Sequence, residues 1–293
     1  MSTNTMVKDK KKIFEQYVTN RTEILEKEKN YFNSINCNSE GGEGKIYVMQ
    51  NDIIKIFDKQ AVDVKLKGRK IIALMRLGLA LPKNHRFALP YKFIVEYDKK
   101  TNKVEPIGFR MKKIDGKEFA ILNGKKACKD YNVTLKKILE MLLIIKYDLH
   151  VLHKFGIIVG DLNERNILFE TNNNLTPHII DCDSWSITVD GNHYPCQVIM
   201  PSYQDPLMKF KDKKAIFTRE TDNFSFMLMA FKMLTRMSPF AGTHPKFPDL
   251  TPEERIVKGA HIIGVKGALL PKNVRNFNVI STDLLKLFKD FFE

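Results

Sequence analysis

The sequence predicts an α+β fold in which a small, strand-rich part precedes a larger and mainly helical part. Glycines followed by alternating β-forming residues begin at Ser39, and further strands are predicted over 89–97 and 104–111. A basic helical segment over 61–80 lies between them. In the second half, apolar residues recur at helical spacing. The predicted helices of that half cover residues 135–155, 217–234 and 282–292.

Length and charge limit the partners that the chain can have. Its 293 residues can form one large or two modest domains with a proper core. The hydrophobic fraction of 43% and the charged fraction of 28% are typical of globular proteins. A formal net charge of +14 favours an anionic partner, namely a nucleotide, an acidic protein, a nucleic acid or an anionic lipid surface. The charge alone does not choose among them, because many of the lysines are dispersed.

Cysteine usage and hydropathy indicate a cytoplasmic protein. The four cysteines are scattered without a Cys-x-x-Cys pair, which argues against a zinc site and a disulfide framework. The first dozen residues are charged and contain no apolar segment of the secretory type. The longest apolar run, 141–145, is too short to cross a bilayer, so no membrane association is expected.

Three regions follow from these patterns. Residues 1–34 are rich in Lys, Glu and Asn, and their sparse apolar positions, including Ile24 and Leu25, predict an N-terminal helical extension. The strand-rich part is assigned to 35–112 and the helical part to 113–293, with a connector near 111–116. The segment 184–220, which contains three prolines, is expected to be a loop.

A glycine run and a strand lysine point to phosphate binding in the first part. Glycines at 41, 42 and 44 let the backbone approach a ligand closely. The short strand 53–57 then contains Lys55 between apolar neighbours. Burying a lysine in this way costs free energy unless its amine reaches water or an anion. A glycine run alone is a weak signal, but a strand lysine at this distance strengthens it.

The strongest chemical signal lies at 158–168 and 179–183. A β-rich apolar segment leads to Asp161, Asn166 follows five residues later, and a second apolar strand leads to Asp181. Phosphoryl transfer needs one carboxylate to orient and deprotonate the acceptor hydroxyl, and an amide and a carboxylate to hold Mg²⁺. An ordinary strand–turn–strand with acids in a solvated loop would give the same pattern.

In this order the parts resemble the protein-kinase-like superfamily over roughly residues 35–292. Residues 160–163, Gly-Asp-Leu-Asn, and 180–184, Ile-Asp-x-Asp-Ser, are most similar to bacterial and phage kinase-like proteins. Residues 194–206 are similar to the end of an activation segment. Asp222 begins an Asp-x-x-Ser run that resembles the start of the central helix, whose acid would bind the catalytic-loop backbone.

The resemblance implies a bilobal protein-kinase-like fold, with ATP and Mg²⁺ as cofactors and the following roles. Asp161 would be the catalytic base and Lys55 would hold the phosphates. Asn166 and Asp181 would bind the metal. Asp183 is a further candidate metal ligand, because alternation along a strand would aim it to the same face, and a structural role is equally open. The nucleotide-binding set is Ser39, Gly41, Gly42, Gly44, Ile46, Lys55 and Met111.

The chain departs from the family pattern in three respects. Ser39 stands where the first glycine of the loop would be, and Val159 and Gly160 replace the histidine and arginine before the catalytic aspartate. Without that arginine, switching by a phosphorylated activation loop is not expected. Between Gln60 and Leu81 there is no glutamate to pair with Lys55. Asp63 is the one acid there, and it comes too early in the segment.

The favoured function is an ATP/Mg²⁺-dependent phosphotransferase of the Ser/Thr protein kinase type, with a protein as substrate. The missing glutamate keeps a second hypothesis open, a nucleotide-binding pseudokinase that acts as a binding or regulatory module. A kinase for a small hydroxylated molecule is a third, although the activation-segment-like residues argue against it. Nucleic acid is a less favoured partner, because most phenylalanines fall at core spacing. Acceptor, regulation and oligomeric state do not follow from the sequence.

Overall fold

The computed structural model describes residues 21–26, 32, 37, 39–41, 43–172, 174–198 and 200–293. Within this part of the chain the protein is α+β, which confirms the predicted class at that level. The chain divides into two compact units. Unit 1 comprises Met1–Lys83 and Ala88–Ile114, and unit 2 comprises Asn84–Phe87 and Asp115–Glu293. The boundary predicted after residue 112 lies two residues before this change of unit.

Unit 1 is built on a mixed sheet with one described helix. Its strands are β1 (Thr22–Glu26), β2 (Ser39–Gly41), β3 (Gly44–Val48), β4 (Asp52–Phe57), β5 (Pro90–Asp98) and β6 (Lys103–Lys112). They run in the order β1-β5-β6-β4-β3-β2, and β1 alone is parallel to its neighbour. Helix α1 (Val64–Ala80) connects β4 to β5 by way of residues 81–89. The strands and the helix predicted for 53–57, 61–80, 89–97 and 104–111 are confirmed within three residues.

The predicted N-terminal helix is wrong for Thr22–Glu26, which forms strand β1. This strand pairs with Phe93–Tyr97 of β5, and Leu25 contributes to the core of the sheet. A helical pattern over so few apolar positions is weak, and pairing with an open sheet edge overrides it. The remainder of the predicted extension falls mostly outside the described residues.

The two faces of the unit 1 sheet carry different cores. One face holds a cluster of buried side chains: Leu25, Tyr47, Ile54, Ile94 and Ile107. The other is covered by α1, whose Gly68 lies so close to the sheet that a Cβ would come within 2.9 Å of Pro106 and 3.1 Å of the Phe93 ring. Glycine therefore sets how closely this helix approaches the sheet.

Unit 2 contains five described helices and three small sheets. The helices are α2 (Lys125–Asp130), α3 (Leu135–Lys154), α4 (Arg219–Thr235), α5 (Pro252–Val257) and α6 (Thr282–Phe292). The sheets are formed by β7 (Gly116–Glu118), β8 (Ile167–Glu170) and β9 (Pro177–Ile179), by β10 (Ile187–Val189) and β11 (Asn192–Tyr194), and by β12 (Lys209–Lys211) and β13 (Lys214–Ile216). The three predicted helices of this half are confirmed within about two residues.

Buried aliphatic and aromatic side chains hold the helices of unit 2 together. On α3, Ile145 and Leu149 have no exposed surface. Phe231 of α4 meets Phe288 of α6 edge to face at 5.2 Å. This contact packs the C-terminal part of α4 against α6. No helix in the described part of the chain is both long and apolar enough to span a bilayer.

The loop predicted for 184–220 contains four short strands that the sequence did not predict. Strands β10 and β11 form one hairpin, and β12 and β13 form another. Each strand has three residues, which is below the length at which alternation can be recognised. Positive φ angles at Asp190 and Gly191, and at Asp212 and Lys213, turn the chain between the strands.

Candidate functional site

The candidate site begins where α3 ends. Helix α3 stops at Lys154, and Gly156 adopts a left-handed φ of +70°, as predicted for the helix stop. The chain then runs extended past Ile158, which exchanges two backbone hydrogen bonds with Ser186, of 3.0 and 2.8 Å. This bridge carries the backbone into the loop that contains Asp161.

A buried carboxylate on α4 fixes the loop backbone. Asp222 has no exposed surface and accepts the backbone N–H groups of Val159 and Gly160, each at 2.8 Å. His153 Nε2 lies 2.9 Å from the same carboxylate. The predicted contact between the helix acid and the loop backbone is therefore confirmed. Asp222 lies in the first turn of α4, where the helix dipole favours a negative charge.

Gly160 is required by space as well as by conformation. Its φ is +76°, and a Cβ at this position would lie 2.7 Å from Cys196 Sγ. Any side chain would collide with the segment that crosses here. An arginine, which the kinase-like pattern would have at this position, therefore does not fit here.

Asp161 is held by two amide side chains. Its Oδ2 accepts from Asn166 Nδ2 at 2.8 Å, and its Oδ1 accepts from Asn163 Nδ2 at 3.1 Å. Burial raises the pKa of this carboxyl above its usual range, while the two amide donors act in the opposite direction. A carboxylate with two fixed donors and a raised pKa suits a general base better than a solvated acid does.

Asn163 organises the loop, and the sequence analysis gave it no role. It is 3% exposed, and its Oδ1 accepts the backbone N–H groups of Arg165 at 3.0 Å and Asn166 at 3.3 Å. Its Nδ2 also donates to the backbone carbonyl of Asp161 at 3.1 Å. An asparagine side chain often accepts a hydrogen bond from the backbone two residues later, so the asparagine in this polar turn was itself a signal for the role.

The small sheet places the backbone that leads to Asp181 beside that of Asn166. Asn166 precedes β8, Ile167 of β8 pairs with Ile179 of β9, and the N–H of Ile180 donates to the carbonyl of Asn166 at 2.9 Å. Asp181 follows directly, in a left-handed conformation with φ +57°. Such a backbone is uncommon for a residue with a side chain, and aspartate tolerates it better than most. Asp161, Asn166 and Asp181 therefore lie on two neighbouring backbones.

The reason given for Asp183 as a metal ligand is wrong. Strand β9 ends at Ile179, and Cys182–Ser184 form a single 3₁₀ turn, so no strand alternation aims Asp183 to the face of Asp181. Asp183 is 1% exposed. The sequence left open whether Asp183 is a metal ligand or has a structural role, and its burial favours the structural role.

A segment from the first half of the sequence contacts the residues on either side of Asp181. Residues Asn84–Phe87 belong to unit 2. The N–H of Ile179 donates to the carbonyl of Arg86 at 2.9 Å, and the Arg86 guanidinium binds both carboxylate oxygens of Asp148, at 2.6 and 2.8 Å. The Phe87 ring meets Trp185 edge to face at 5.7 Å. These contacts lie on both sides of Asp181 in the sequence and hold its position.

A second buried carboxylate joins the loop to the activation-segment-like residues. Glu164 is 5% exposed and accepts hydrogen bonds from the Tyr203 hydroxyl and from Lys232 Nζ of α4. The Lys232 ammonium also lies 5.6 Å from the centre of the Tyr203 ring. Burial and the negative charge of Glu164 raise the pKa of Tyr203 far above its usual range, which keeps the hydroxyl protonated as a donor. Sequence reasoning missed this network, because its members are far apart in the chain.

In unit 1 the predicted phosphate-binding residues lie on the strands β2, β3, β4 and β6. Lys55 of β4 pairs with Ile46 of β3 and with Phe109 of β6. Phe109 in turn pairs with Phe93, which contacts α1, so Lys55 lies on the face that α1 covers. It is 7% exposed.

The turn between β2 and β3, which contains Gly41 and Gly44 and is called the glycine turn here, is held in part by backbone pairing. Ser39 pairs with Ile46, and Gly41 pairs with Gly44. A Cβ on Gly44 would lie 2.1 Å from the carbonyl oxygen of Ile56, so this glycine is required by its neighbour β4. Gly42 lies outside the described residues. Met111 of β6 pairs with Ile53 and Pro90.

Helix α1 carries lysines where the resemblance requires a glutamate. Lys67 and Lys70 are each 7% exposed, and Lys67 Nζ forms an ion pair of 2.5 Å with Glu43 at the tip of the glycine turn. Asp63 caps the helix, because its Oδ1 accepts the N–H groups of Lys65 and Leu66. The missing glutamate is therefore not replaced by Asp63, whose acceptor is used at the cap.

The donor set of unit 2 fits Mg²⁺ in its chemistry. The Asn166 nitrogen donates to Asp161, which leaves its oxygen as the free acceptor of the amide, and Asp181 adds a carboxylate. Mg²⁺ takes oxygen ligands and commonly uses one or two carboxylates together with substrate phosphates. Within the described ranges no group of three or more His, Cys, Asp or Glu side chains gathers for a metal. The predicted ligands contain at most two such side chains, Asp181 and Asp183, because asparagine is not among these residue types.

Comparisons with known proteins give no family. No protein-family model matches the chain, and no curated protein matches it significantly.

Proposed function

We propose that the protein is an ATP- and Mg²⁺-dependent phosphotransferase of the Ser/Thr protein kinase type, with a bilobal protein-kinase-like fold. The observation that carries the proposal is the arrangement at Asp161. Its carboxylate accepts two amide donors, on a loop whose backbone donates to the buried Asp222. A solvated acidic turn has no need of this support.

Asp161 is the proposed general base. A hydroxyl oxygen of the acceptor attacks the γ-phosphorus of ATP and its proton passes to the Asp161 carboxylate, while the bond to the leaving ADP oxygen breaks. The raised pKa of Asp161 brings its proton affinity closer to that required of a base at neutral pH. Asn163 and Asn166 keep the carboxylate from turning away from the acceptor.

Asn166 and Asp181 are the proposed metal ligands. When bound, Mg²⁺ would neutralise the negative charge of the phosphates. The hydrogen bond between Ile180 and Asn166 keeps the two ligand-bearing residues at a fixed spacing. Lys55 and the backbone of the glycine turn are assigned the phosphate contacts by the resemblance.

The test is transfer of radiolabel from γ-labelled ATP to the protein itself and to acidic, basic and neutral proteins, with and without Mg²⁺. Asp161→Ala and Lys55→Met are expected to lower the transfer rate by at least about a thousandfold, because one removes the base and the other the phosphate contact. Matched controls are Asp290→Ala and Lys45→Met, which change exposed residues of α6 and β3. Transfer that persists equally in all four variants would contradict the proposal.

One observation favours a second candidate, a nucleotide-binding pseudokinase. The buried polar positions of α1 are Lys67 and Lys70, so the helix supplies no acid to orient Lys55. Phosphate binding tolerates this better than catalysis does, since an additional ammonium group attracts the nucleotide without orienting it. ATP binding by calorimetry, lost in Lys55→Met but unaccompanied by label transfer in the wild type, would establish this alternative.

A further inference from the structure

An exposed hairpin in unit 2 has no part in the proposed transfer site. Among the described strands, β12 and β13 pair with each other and with no other, and Asp212 and Lys213 form the turn with φ angles of +50° and +62°. Five of the six strand residues are exposed, including Phe210 at 51% and Ile216 at 40%. A two-stranded hairpin of this length is marginal in water by itself.

The hairpin concentrates positive charge on one face. Residues directly opposite one another share a face, so the register places Lys209, Lys211, Lys214 and Ile216 together. Lys211 lies directly opposite Lys214, and like charges in that position are destabilising. Among the described residues no carboxylate forms an ion pair with any of these lysines. An anionic partner would relieve this repulsion.

The hairpin is tied to the loop of Asp161 through a short segment. Tyr203, whose hydroxyl donates to Glu164, precedes Lys209 by six residues, which can span at most about 20 Å. Arg165, two residues before the start of β8, is exposed and adds a further positive charge in the same loop. A ligand on the hairpin therefore lies within reach of the base.

We propose that the β12–β13 hairpin docks an acidic, extended segment of the protein substrate; this rests on the proposed kinase function. Within the described ranges no further strand pairs with either outer edge of the hairpin, so the backbone groups of an edge can pair with an added strand. Carboxylates at alternate positions of such a strand recur about every 7 Å and match the spacing of Lys209 and Lys211. The substrate thus pairs its backbone with an edge and its acids with the lysine face.

The placement of Phe210 disfavours a nucleic acid. Phe210 and Ala215 form the face opposite to the lysines. A single strand of nucleic acid would have to stack on one face while its phosphates contact the other, whereas an acidic peptide needs the lysine face and one edge only.

Binding is measured first, without nucleotide, so that the result does not depend on catalysis. The probe is a labelled peptide of alternating glutamate and threonine, followed by fluorescence anisotropy at low and at physiological salt. The variant Lys209→Gln/Lys211→Gln/Lys214→Gln is expected to weaken binding about tenfold or more. The matched control Lys266→Gln/Lys272→Gln/Lys286→Gln removes the same charge from exposed lysines elsewhere in unit 2 and is expected to change binding less than about twofold.

The outcomes separate this proposal from that of the kinase function. Equal weakening by both triple variants, equal binding of a peptide with glutamine for glutamate, or tighter binding of a single-stranded oligonucleotide or of anionic vesicles would overturn it. If peptide binding holds but no label is transferred, the docking surface stands and the kinase function fails. If label is transferred, the hairpin variant is expected to raise the KM for the peptide about tenfold and to leave kcat unchanged.

Discussion

The loop of Asp161 and the glycine turn before Lys55 are both short polar turns, but they are held in opposite ways. In unit 2 the loop is fixed by side chains: Asp222 accepts two of its backbone N–H groups, and Asn163 and Asn166 hold its central carboxylate. In unit 1 the turn is fixed by strand pairing and by the close approach of Gly44 to β4. Its one described side-chain tie is the ion pair between Glu43 and Lys67.

This difference has a physical consequence for function. Hydrogen bonds to buried carboxylates give a single well-defined loop conformation, because any alternative leaves buried donors unpaired. The glycine turn joins β3 to the edge strand β2 and keeps more freedom, which suits a segment that must admit a ligand. If the proposed function holds, Asp161 is pre-positioned as the base, while the glycine turn retains the ability to adjust to the phosphates.

The largest effect is expected from Asp222→Ala, which removes the carboxylate that holds the backbone of the Asp161 loop. The free energy of unfolding is expected to fall by about 3 kcal/mol or more, because two backbone donors lose their buried acceptor and His153 loses its partner. Urea denaturation can be followed by the fluorescence of Trp185, the chain's one tryptophan, which is fully buried in unit 2. The neighbouring Asn223→Ala, which removes a hydrogen bond to Lys146, is the control and is expected to cost less than about 1 kcal/mol.

If the two variants unfold alike, Asp222 does not hold the loop and the contrast between the two turns disappears. If only Asp222→Ala loses much of its free energy of unfolding, the contrast between the two turns becomes sharper.

A smaller effect is expected from the network of Glu164. In a double-mutant cycle, Glu164→Gln and Tyr203→Phe are expected to show a coupling of about 1–2 kcal/mol, because the hydrogen bond is buried and its acceptor, the Glu164 carboxylate, is charged. Tyr147→Phe with Glu164→Gln is the control cycle, since Tyr147 is 61% exposed, and its coupling should lie below about 0.5 kcal/mol. Equal couplings in the two cycles would show that Tyr203 does not tie the activation-segment-like residues to the loop.

What the sequence predicted correctly is what short-range patterns encode. The periodicity of apolar residues located α3 and Gly156, and the Asp-x-x-x-x-Asn spacing located a loop in which Asn166 does bind Asp161. The contact of Asp222 with the loop backbone also followed from the resemblance.

The features that were missed depend on partners distant in the chain or on elements too short to show a period. The contact of Glu164 with Tyr203 and Lys232 spans 39 and 68 residues. Strand β1 exists because β5 offers an edge, and the alternation argument failed at Asp183 because a 3₁₀ turn replaces the strand there. No local pattern contains this information.

In unit 1, the tie between Glu43 and Lys67 is expected to contribute about 1 kcal/mol of coupling. Its side chains are 21% and 8% exposed, whereas those of Glu96 and Lys59 are 23% and 51% exposed at 3.4 Å. Exposed pairs contribute about 0–1 kcal/mol and the more exposed pair should lie at the lower end, so Glu96 and Lys59 are the natural control. The cycles Glu43→Gln/Lys67→Met and Glu96→Gln/Lys59→Met can be compared through the hydrogen-exchange free energies of β3 amides.

A coupling near zero for Glu43 and Lys67 would leave the glycine turn held by backbone pairing alone, and would widen the contrast with the Asp161 loop. A coupling as large as that of the Glu164 network would contradict the view that this turn is the more adjustable one.

The smallest effect is a change in pH dependence caused by Asn163→Ala. The Asn163 amide donates to the charged form of Asp161 and therefore lowers its pKa, against the dominant effect of burial. Without this donor the pKa of Asp161 rises, so a larger fraction of the carboxyl is protonated at a given acidic pH. The acid limb of the pH profile for phosphoryl transfer should move to higher pH. Asn172→Ala, an exposed asparagine between β8 and β9, should leave it in place. The shift is limited because Asn166 continues to donate at 2.8 Å, and a limb that moves to lower pH would show that the base is not Asp161.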